Sequence, residues 1–289
     1  MYHSRHQRTS AFINFATKFN DTTAFSLGTI LGFQATADVS TNMSLNGANY
    51  GSWASGQSKV SPSLGAIVSV TKRFDFMTAY FTYQQEMKSN LKAIVHGEIT
   101  NPSLALFDAS MNSMIFYDPH TFRLGTQFSG GDFEFYAGVE YQMWTNYKAP
   151  TMEVVKNGGV IVPSSNYEKI KTRDTINPRV GVKYNITNRW STLLGAQYRM
   201  TPLEGDFSGS GNSIDADTIV GTGGVQYRMV IWSKDVHLGA SLQYHHMMDK
   251  HVTKSANQEN GTAGPKIGAP GYDIGGYILA GSMGVKINF

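Results

Sequence analysis

The sequence predicts an all-β protein, a transmembrane antiparallel meander β-barrel with about eleven strands in this chain. Three observations carry the prediction. Successive segments alternate apolar and polar residues at period two, the signature of a strand with two differently solvated faces. The connections alternate between short polar turns and long Gly/Ser/Asn-rich loops. Tyr, Trp and Phe gather at the strand ends, as aromatic girdles do at membrane interfaces: Phe74, Trp144, Tyr147, Tyr184, Trp190, Tyr227, Trp232 and Tyr244.

In the first pair, Ala11–Phe19 and Ala24–Thr36, a hinge at Asn20-Asp21 leaves Ile13, Phe15 and Phe19 on one face and Phe25, Leu27, Leu31 and Phe33 on the matching one. A loop from about Thr41 to Ser61 leads to Leu64–Thr71 and Phe76–Lys92, which turn at Lys72-Arg73-Phe74-Asp75. Another long loop, Ala93 to Met114, precedes the third pair. Phe122–Phe128 and Phe133–Tyr147 turn at Ser129-Gly130-Gly131-Asp132, with glycines where positive φ is needed. Here the alternation is clearest: Phe133, Phe135, Ala137, Val139, Tyr141 and Met143 oppose Glu134, Tyr136, Gly138, Glu140 and Gln142. Carboxylates on the second face make that face wet.

The fourth pair, Pro178–Asn185 and Trp190–Thr201, follows a loop from Lys148 to Thr172. It sets Val180, Val182, Leu194 and Ala196 against Arg179, Lys183, Gln197 and Arg199. The fifth pair, Thr218–Val230 and Val236–Met247, turns at Trp232-Ser233-Lys234-Asp235. A polar loop, Asp249–Gly271, feeds the closing strand Gly276–Phe289, where Tyr277, Leu279, Met283, Val285, Ile287 and Phe289 share one face. Its length suits the roughly 9–11 residues with which a tilted strand crosses hydrocarbon.

Composition excludes other classes. Charged residues make up 16% of 289 and the net charge is only +3, scattered over strands and turns, so no nucleic-acid footprint is expected. No apolar run reaches the 18 or so residues of a membrane helix. The absence of cysteine removes thiol nucleophiles and Cys-based zinc sites. The opening MYHSRHQRTS is polar and has no signal-peptide core.

The stretches YDPHTFRLGTQFSGGDFEFYAGVEYQMWTNY (117–147), NPRVGVKYNITNRWSTLLGAQYRMTP (177–202), DADTIVGTGGVQYRM (215–229) and PKIGAPGYDIGGY (265–277), with the terminal Phe289, resemble the FadL/TodX family of outer-membrane transporters of long-chain fatty acids and other hydrophobic compounds. The resemblance implies a fourteen-stranded barrel with an N-terminal hatch. The family's Asn-Pro-Ala motif is absent, since Asn101-Pro102 and Asn177-Pro178 are followed by Ser103 and Arg179. The first joint is a short turn, and such turns lie on the periplasmic side. The chain is therefore expected to be one barrel domain, residues 1–289, lacking signal peptide, hatch and the first three strands. The closing strand resembles the assembly signal of bacterial barrels, implying that Tyr277, Val285, Ile287 and Phe289 are read by the barrel-assembly machinery.

Leu104, Phe107 and Met111 fall at near-helical spacing after a cap at Asn101 or Ser103. Counted along the family barrel, this loop and the Met43–Trp53 loop stand where two long loops form an apolar groove. Leu45, Trp53, Leu104, Phe107 and Met111 are thus the candidate ligand-binding residues, with mutual packing of the loops as the alternative.

Other constellations read as structural. His245 and His246 are adjacent on a strand and point to opposite faces, so with His237 and Asp249 they are not expected to bind metal. Asp215 and Asp217 share a face but sit at a loop edge. There is no nucleophile elbow, phosphate loop or zinc helix motif, and neither enzyme activity nor a cofactor is expected. The expected function is passive outer-membrane transport of hydrophobic small molecules such as long-chain fatty acids, in contact with outer-membrane lipid. The alternatives are a polar-solute porin and a structural or adhesin barrel. The porin reading weakens if Ile30, Phe81, Leu193 and Ile278 intrude on the inner face.

Overall fold

The computed structural model describes residues 11–43, 52–99, 107–147, 153–157, 171–205, 215–232, 234–253 and 271–288. Fourteen strands and no helix occur among them: β1 (Ala11–Asn20), β2 (Thr23–Met43), β3 (Ser52–Arg73), β4 (Met77–Gln84), β5 (Met87–Ile99), β6 (Phe107–Asp118), β7 (His120–Gly130), β8 (Phe133–Met143), β9 (Glu153–Asn157), β10 (Thr175–Asn185), β11 (Trp190–Arg199), β12 (Thr218–Ile231), β13 (Lys234–Thr253) and β14 (Gly271–Asn288). All belong to one sheet, ordered β14-β13-β12-β11-β10-β8-β7-β4-β3-β2-β5-β6-β9, with β1 on the lower part of the β2 edge whose upper part pairs with β5. The eleven expected strands are β1–β4, β7, β8 and β10–β14, and they run as an antiparallel meander. Among the described residues β1 pairs only with β2 and β14 only with β13, so the sheet is an open wall.

Register fixes the faces. Across β7 and β8, Leu124 lies opposite Val139 and Phe128 opposite Phe135, while Arg123 lies opposite Glu140. A one-residue slip would exchange these sets, which is why the pattern specifies the pairing so firmly. The apolar set continues through the half-buried Val182 and through Val180, Leu194, Val225, Leu238, Leu242, Leu279, Met283 and Val285, large side chains left exposed on one side of the wall. A soluble sheet would cover such a face; here burial is slight, and a small cluster of Ala216, Val252 and Ile274 with Met247 and Tyr272 is the core at the top of β12–β14. Gly131 takes positive φ (60°) in the β7–β8 turn, as that turn requires.

Several expectations are corrected. Strand Phe76–Lys92 is two strands, because the chain leaves β3 at Gln85. That residue donates its N–H to Ala66 O (2.8 Å) and receives the Ala66 N–H on Oε1 (3.1 Å), closing the ladder. Met87 then passes over Gly65 on the inner face of β3, its Sδ 3.4 Å from where a Cβ on that glycine would stand, and Ser89 Oγ donates to Phe33 O of β2 at 2.7 Å. Beyond this strap β5 runs parallel to the upper half of β2, Ala35 opposite Leu91 through Met43 opposite Ile99, above the point where β1 ends opposite Leu31. This pair breaks the antiparallel rule. Parts of the expected loops Ala93–Met114 and Lys148–Thr172 are strands β6 and β9, which extend the sheet from β5.

Candidate functional site

The face opposite the apolar one is built of hydrogen-bonded polar rows. Arg123 Nε donates to Glu140 and its Nη1 to Gln84 (3.1 Å); Lys183 Nζ donates to Glu134 (2.7 Å), which also accepts from Gln127 (3.1 Å); Arg228 Nη2 donates to Asp235 (2.8 Å). Each pair comes from neighbouring strands held in register, so the cations meet carboxylates on the wall itself. Arg179, Arg199 and Lys286 share this face opposite Gln197, Thr218 and His237 rather than a carboxylate, so the face keeps a positive excess. Strand alternation also brings apolar groups to it: Ile30, buried beneath the strap, Leu193 and Ile278. Phe81 does not join them. It lies opposite Leu124 and Val70 on the outer face, because the strand begins at Met77 and carries Met77, Ala79, Phe81 and Tyr83 outward.

Two glycines shape the middle of the inner face. Gly125 and Gly138 are opposite each other on β7 and β8, flanked by Tyr80 on β4 and Arg179 on β10. A Cβ on Gly125 would stand 2.3 Å from the Tyr80 ring, and one on Gly138 would stand 3.1 Å from Arg179 Nε, so both long side chains lie flat along the wall.

The outer end carries hydrogen-bonded carboxylates: Asp215 and Asp217, expected from the sequence as loop-edge acids, and Asp174, which was not singled out from the sequence. Tyr141 Oη donates to Asp174 Oδ2 (2.6 Å) and Thr145 Oγ1 to Asp174 Oδ1 (2.6 Å); one hairpin later, Tyr198 donates to Asp217, which also receives the Thr201 N–H (2.8 Å). The repeated triplet Asp174-Thr175-Ile176 and Asp217-Thr218-Ile219 is the sequence signal of this staple, and each follows a Tyr and a Thr at the top of the preceding strand. Burial works to raise both carboxyls, but the Thr145 and Tyr141 bonds at Asp174, and the Tyr198 and Thr201 bonds at Asp217, hold them below the ordinary value. Asp215 accepts from Thr201 Oγ1 at 2.7 Å, so the two aspartates are structural.

Nearby, Tyr117, Trp144 and Tyr147 pack with centroids 5.7–5.9 Å apart. Tyr117 Oη donates to Glu86 Oε2 (2.9 Å). Burial and this bond push the Tyr117 phenol up; at Glu86, burial raises the carboxyl, but Tyr117 and Lys88 outweigh it and hold it down.

The histidines are not gathered. His245 and His237 turn inward to Gln243 (3.3 Å) and Gln226 (3.1 Å), while His246 stacks on Tyr244 at the outer face; among the described residues no group could hold a metal ion. Tyr277, Val285 and Ile287 line the outer face of β14, exposed by 73%, 66% and 46%. Phe107 and Met111 lie on strand β6, not on a helical turn, and Trp53 lies on β3. Leu45, Leu104 and Phe289 fall outside the described residues, as do the side chains of Trp53, Phe107 and Met111.

No family model matches the chain. Among solved structures it is similar to a FadL homologue of Pseudomonas aeruginosa, with a TM-score of 0.61 at 17% identity over 96% of this chain and 66% of that one. The wall has the FadL fold. A second FadL-type structure, the toluene transporter TodX of P. putida, matches with a TM-score of 0.52 at 13% identity, over 97% of this chain and 69% of that one. The sequence is also similar to alkane uptake protein A of Marinobacter nauticus, 24% identical over 164 residues, which are 55% of this chain and 35% of that protein. The match thus spans about a third of that curated relative. In the FadL-type wall the strand order, the short lower turns and the two-sided faces are those read from the sequence, and the parallel β2–β5 pair is an addition.

Proposed function

We propose that this chain forms the wall of an outer-membrane channel that lets hydrophobic molecules, long-chain fatty acids among them, cross passively after capture by the outer loops. The observation that carries the reading is the continuous apolar face on one side of the wall and the polar, ion-paired face on the other. An apolar band facing lipid with a hydrated interior is the arrangement of a membrane barrel. The names of the relatives, an alkane uptake protein and a toluene transporter, support an apolar cargo. Ile30, Leu193 and Ile278 on the inner face fit that cargo too, whereas the ion pairs of the same face favour the second reading, a polar-solute porin.

In this reading Leu45, Trp53, Leu104, Phe107 and Met111 contribute the capture surface, and Tyr277, Val285, Ile287 and Phe289 present the closing strand to the assembly machinery. The test is titration of fluorescent fatty acids of increasing length against the chain in vesicles. Each methylene buried is worth about 0.8 kcal/mol, roughly a fourfold gain in affinity, until the surface is filled. Salt should matter little, because the attraction is not chiefly ionic. Changing Leu104, Phe107 and Met111 together to Ser should weaken binding while assembly proceeds. Indifference to chain length, or binding unchanged in the triple variant, would reject loop capture; conduction of small hydrophilic solutes alongside it would establish the porin.

A further inference from the structure

We infer that His120 is the buckle of the outer hairpin β5–β6, closed while its imidazole is neutral and opened by protonation. The inference is independent of what the channel carries. The chain leaves the β4–β7 ladder at Glu86 and rejoins it at His120, so these two residues close the base of the β5–β6 hairpin, which beyond that base pairs with β2. At that base the Glu86 N–H donates to His120 Nδ1 at 3.1 Å, and Tyr83 Oη lies 2.9 Å from the same nitrogen, with the Tyr83 and His120 rings stacked at 11°.

A backbone amide can only donate, so Nδ1 must be the acceptor and the ring proton must sit on Nε2. The Tyr83 hydroxyl, which can play either role, then donates as well. The neighbours make the joint sensitive to this choice. Met87 and Ser89, the residues that follow Glu86, are almost wholly buried, and so are Tyr117 and Thr121 on either side of His120. An amide that loses its partner in such surroundings is costly.

Protonation places a hydrogen on Nδ1, facing the Glu86 N–H. Tyr83 can turn and accept it; the amide cannot. The titratable groups around the joint do not remove the conflict. On the strap and β4 they are Glu86, Lys88 and Tyr83; on the returning strand, Tyr117 and Asp118; beyond Tyr117, Tyr147 and Asp174. β8, which pairs Met143 with His120, brings Glu140, already engaged by Arg123. The Glu86 carboxylate attracts an imidazolium, and that attraction draws the ring off the amide. Histidine is the side chain whose unperturbed charge change falls between about pH 5 and 8, and that general range sets the limits of the test.

The test is amide hydrogen exchange of the peptides spanning 87–99 and 107–118, corrected for intrinsic rates, with the full chain in lipid vesicles. Between about pH 7.5 and pH 5 the wild type should lose protection about tenfold. His120→Asn keeps an acceptor oxygen near the position of Nδ1 but cannot be charged there, so its protection should stay at the neutral-pH level throughout. His120→Ala should be loose at both values. Protection of the wild type that ignores pH would overturn the inference; so would an Asn variant that falls like the wild type, or an Ala variant protected at neutral pH. Exchange in β10–β13 should stay constant in every arm, which separates opening of the hairpin from loss of the wall.

Discussion

Arg179 Nη2 donates to Tyr80 Oη at 2.9 Å, joining β10 to β4 across the two strands between them. Tyr80 covers Gly125 and Arg179 covers Gly138, and the contact exists only because neither glycine has a side chain. Close approach of this kind is one of the uses of glycine in a strand.

Gly125→Ala should therefore push the Tyr80 ring off the wall and break the link, lowering stability by about 1–3 kcal/mol as overpacking does. Gly239→Ala, on the same face with open space around it, should be close to neutral. Urea unfolding from vesicles compares the two. Equal effects would mean that the ring does not lie where the contact places it.

The two faces should differ sharply in tolerance. Arginine at Val139, Val182, Leu194 or Leu238 should cost about 2–4 kcal/mol where the residue sits near the bilayer midplane. At Gln197, on the polar side between Arg179 and Val220, arginine should be accepted. Folding free energies in vesicles decide, and similar costs for both sets would contradict the assignment.

Acid should loosen the outer end before the wall. Glu86, Asp174 and Asp217 have carboxyls held below their ordinary values. A depressed folded-state pKa contributes stability that is present above the unfolded value, about 4, and lost as pH falls through the lower folded value. Exchange near residues 86, 145 and 201 should thus rise below about pH 4, and Asp174→Asn should already show the Thr145 region loosened at neutral pH. If acid has no local effect there, these bonds do not hold the rim.

The wall was legible because its signal is local. Phe133 through Gln142 alternate without a break, and Leu124 and Val139 meet in the only register that keeps Arg123 beside Glu140. Whether Phe81 intrudes on the inner face, as the porin test asks, is decided only by the pairing, which sets it opposite Leu124 and Val70 on the outer face. The strap was not legible. Residues 91–99 carry no clean alternation, and their partner is the upper edge of β2, some fifty residues earlier and parallel, for which a period-two reading has no signature. The base of the hairpin depends on one lone pair of His120, and the Tyr80–Arg179 contact on glycines from two other strands. Such relations appear only when distant segments are laid side by side. The repeated Asp-Thr-Ile triplet was in the sequence, but its meaning needed the tyrosine above each aspartate.

The segregation of the wall into a lipid face and a hydrated face is tested most directly by cysteine scanning of β11, which the absence of native cysteine makes clean. Single cysteines would be placed from residue 191 to 197 in the chain folded into vesicles, each carrying a fluorophore and exposed in turn to a lipid-borne quencher and an aqueous one. Positions 192, 194 and 196 should respond to the lipid quencher and 191, 193, 195 and 197 to the aqueous one, alternating at period two. Uniform aqueous quenching along the strand, or alternation in the opposite phase, would contradict the membrane wall described above.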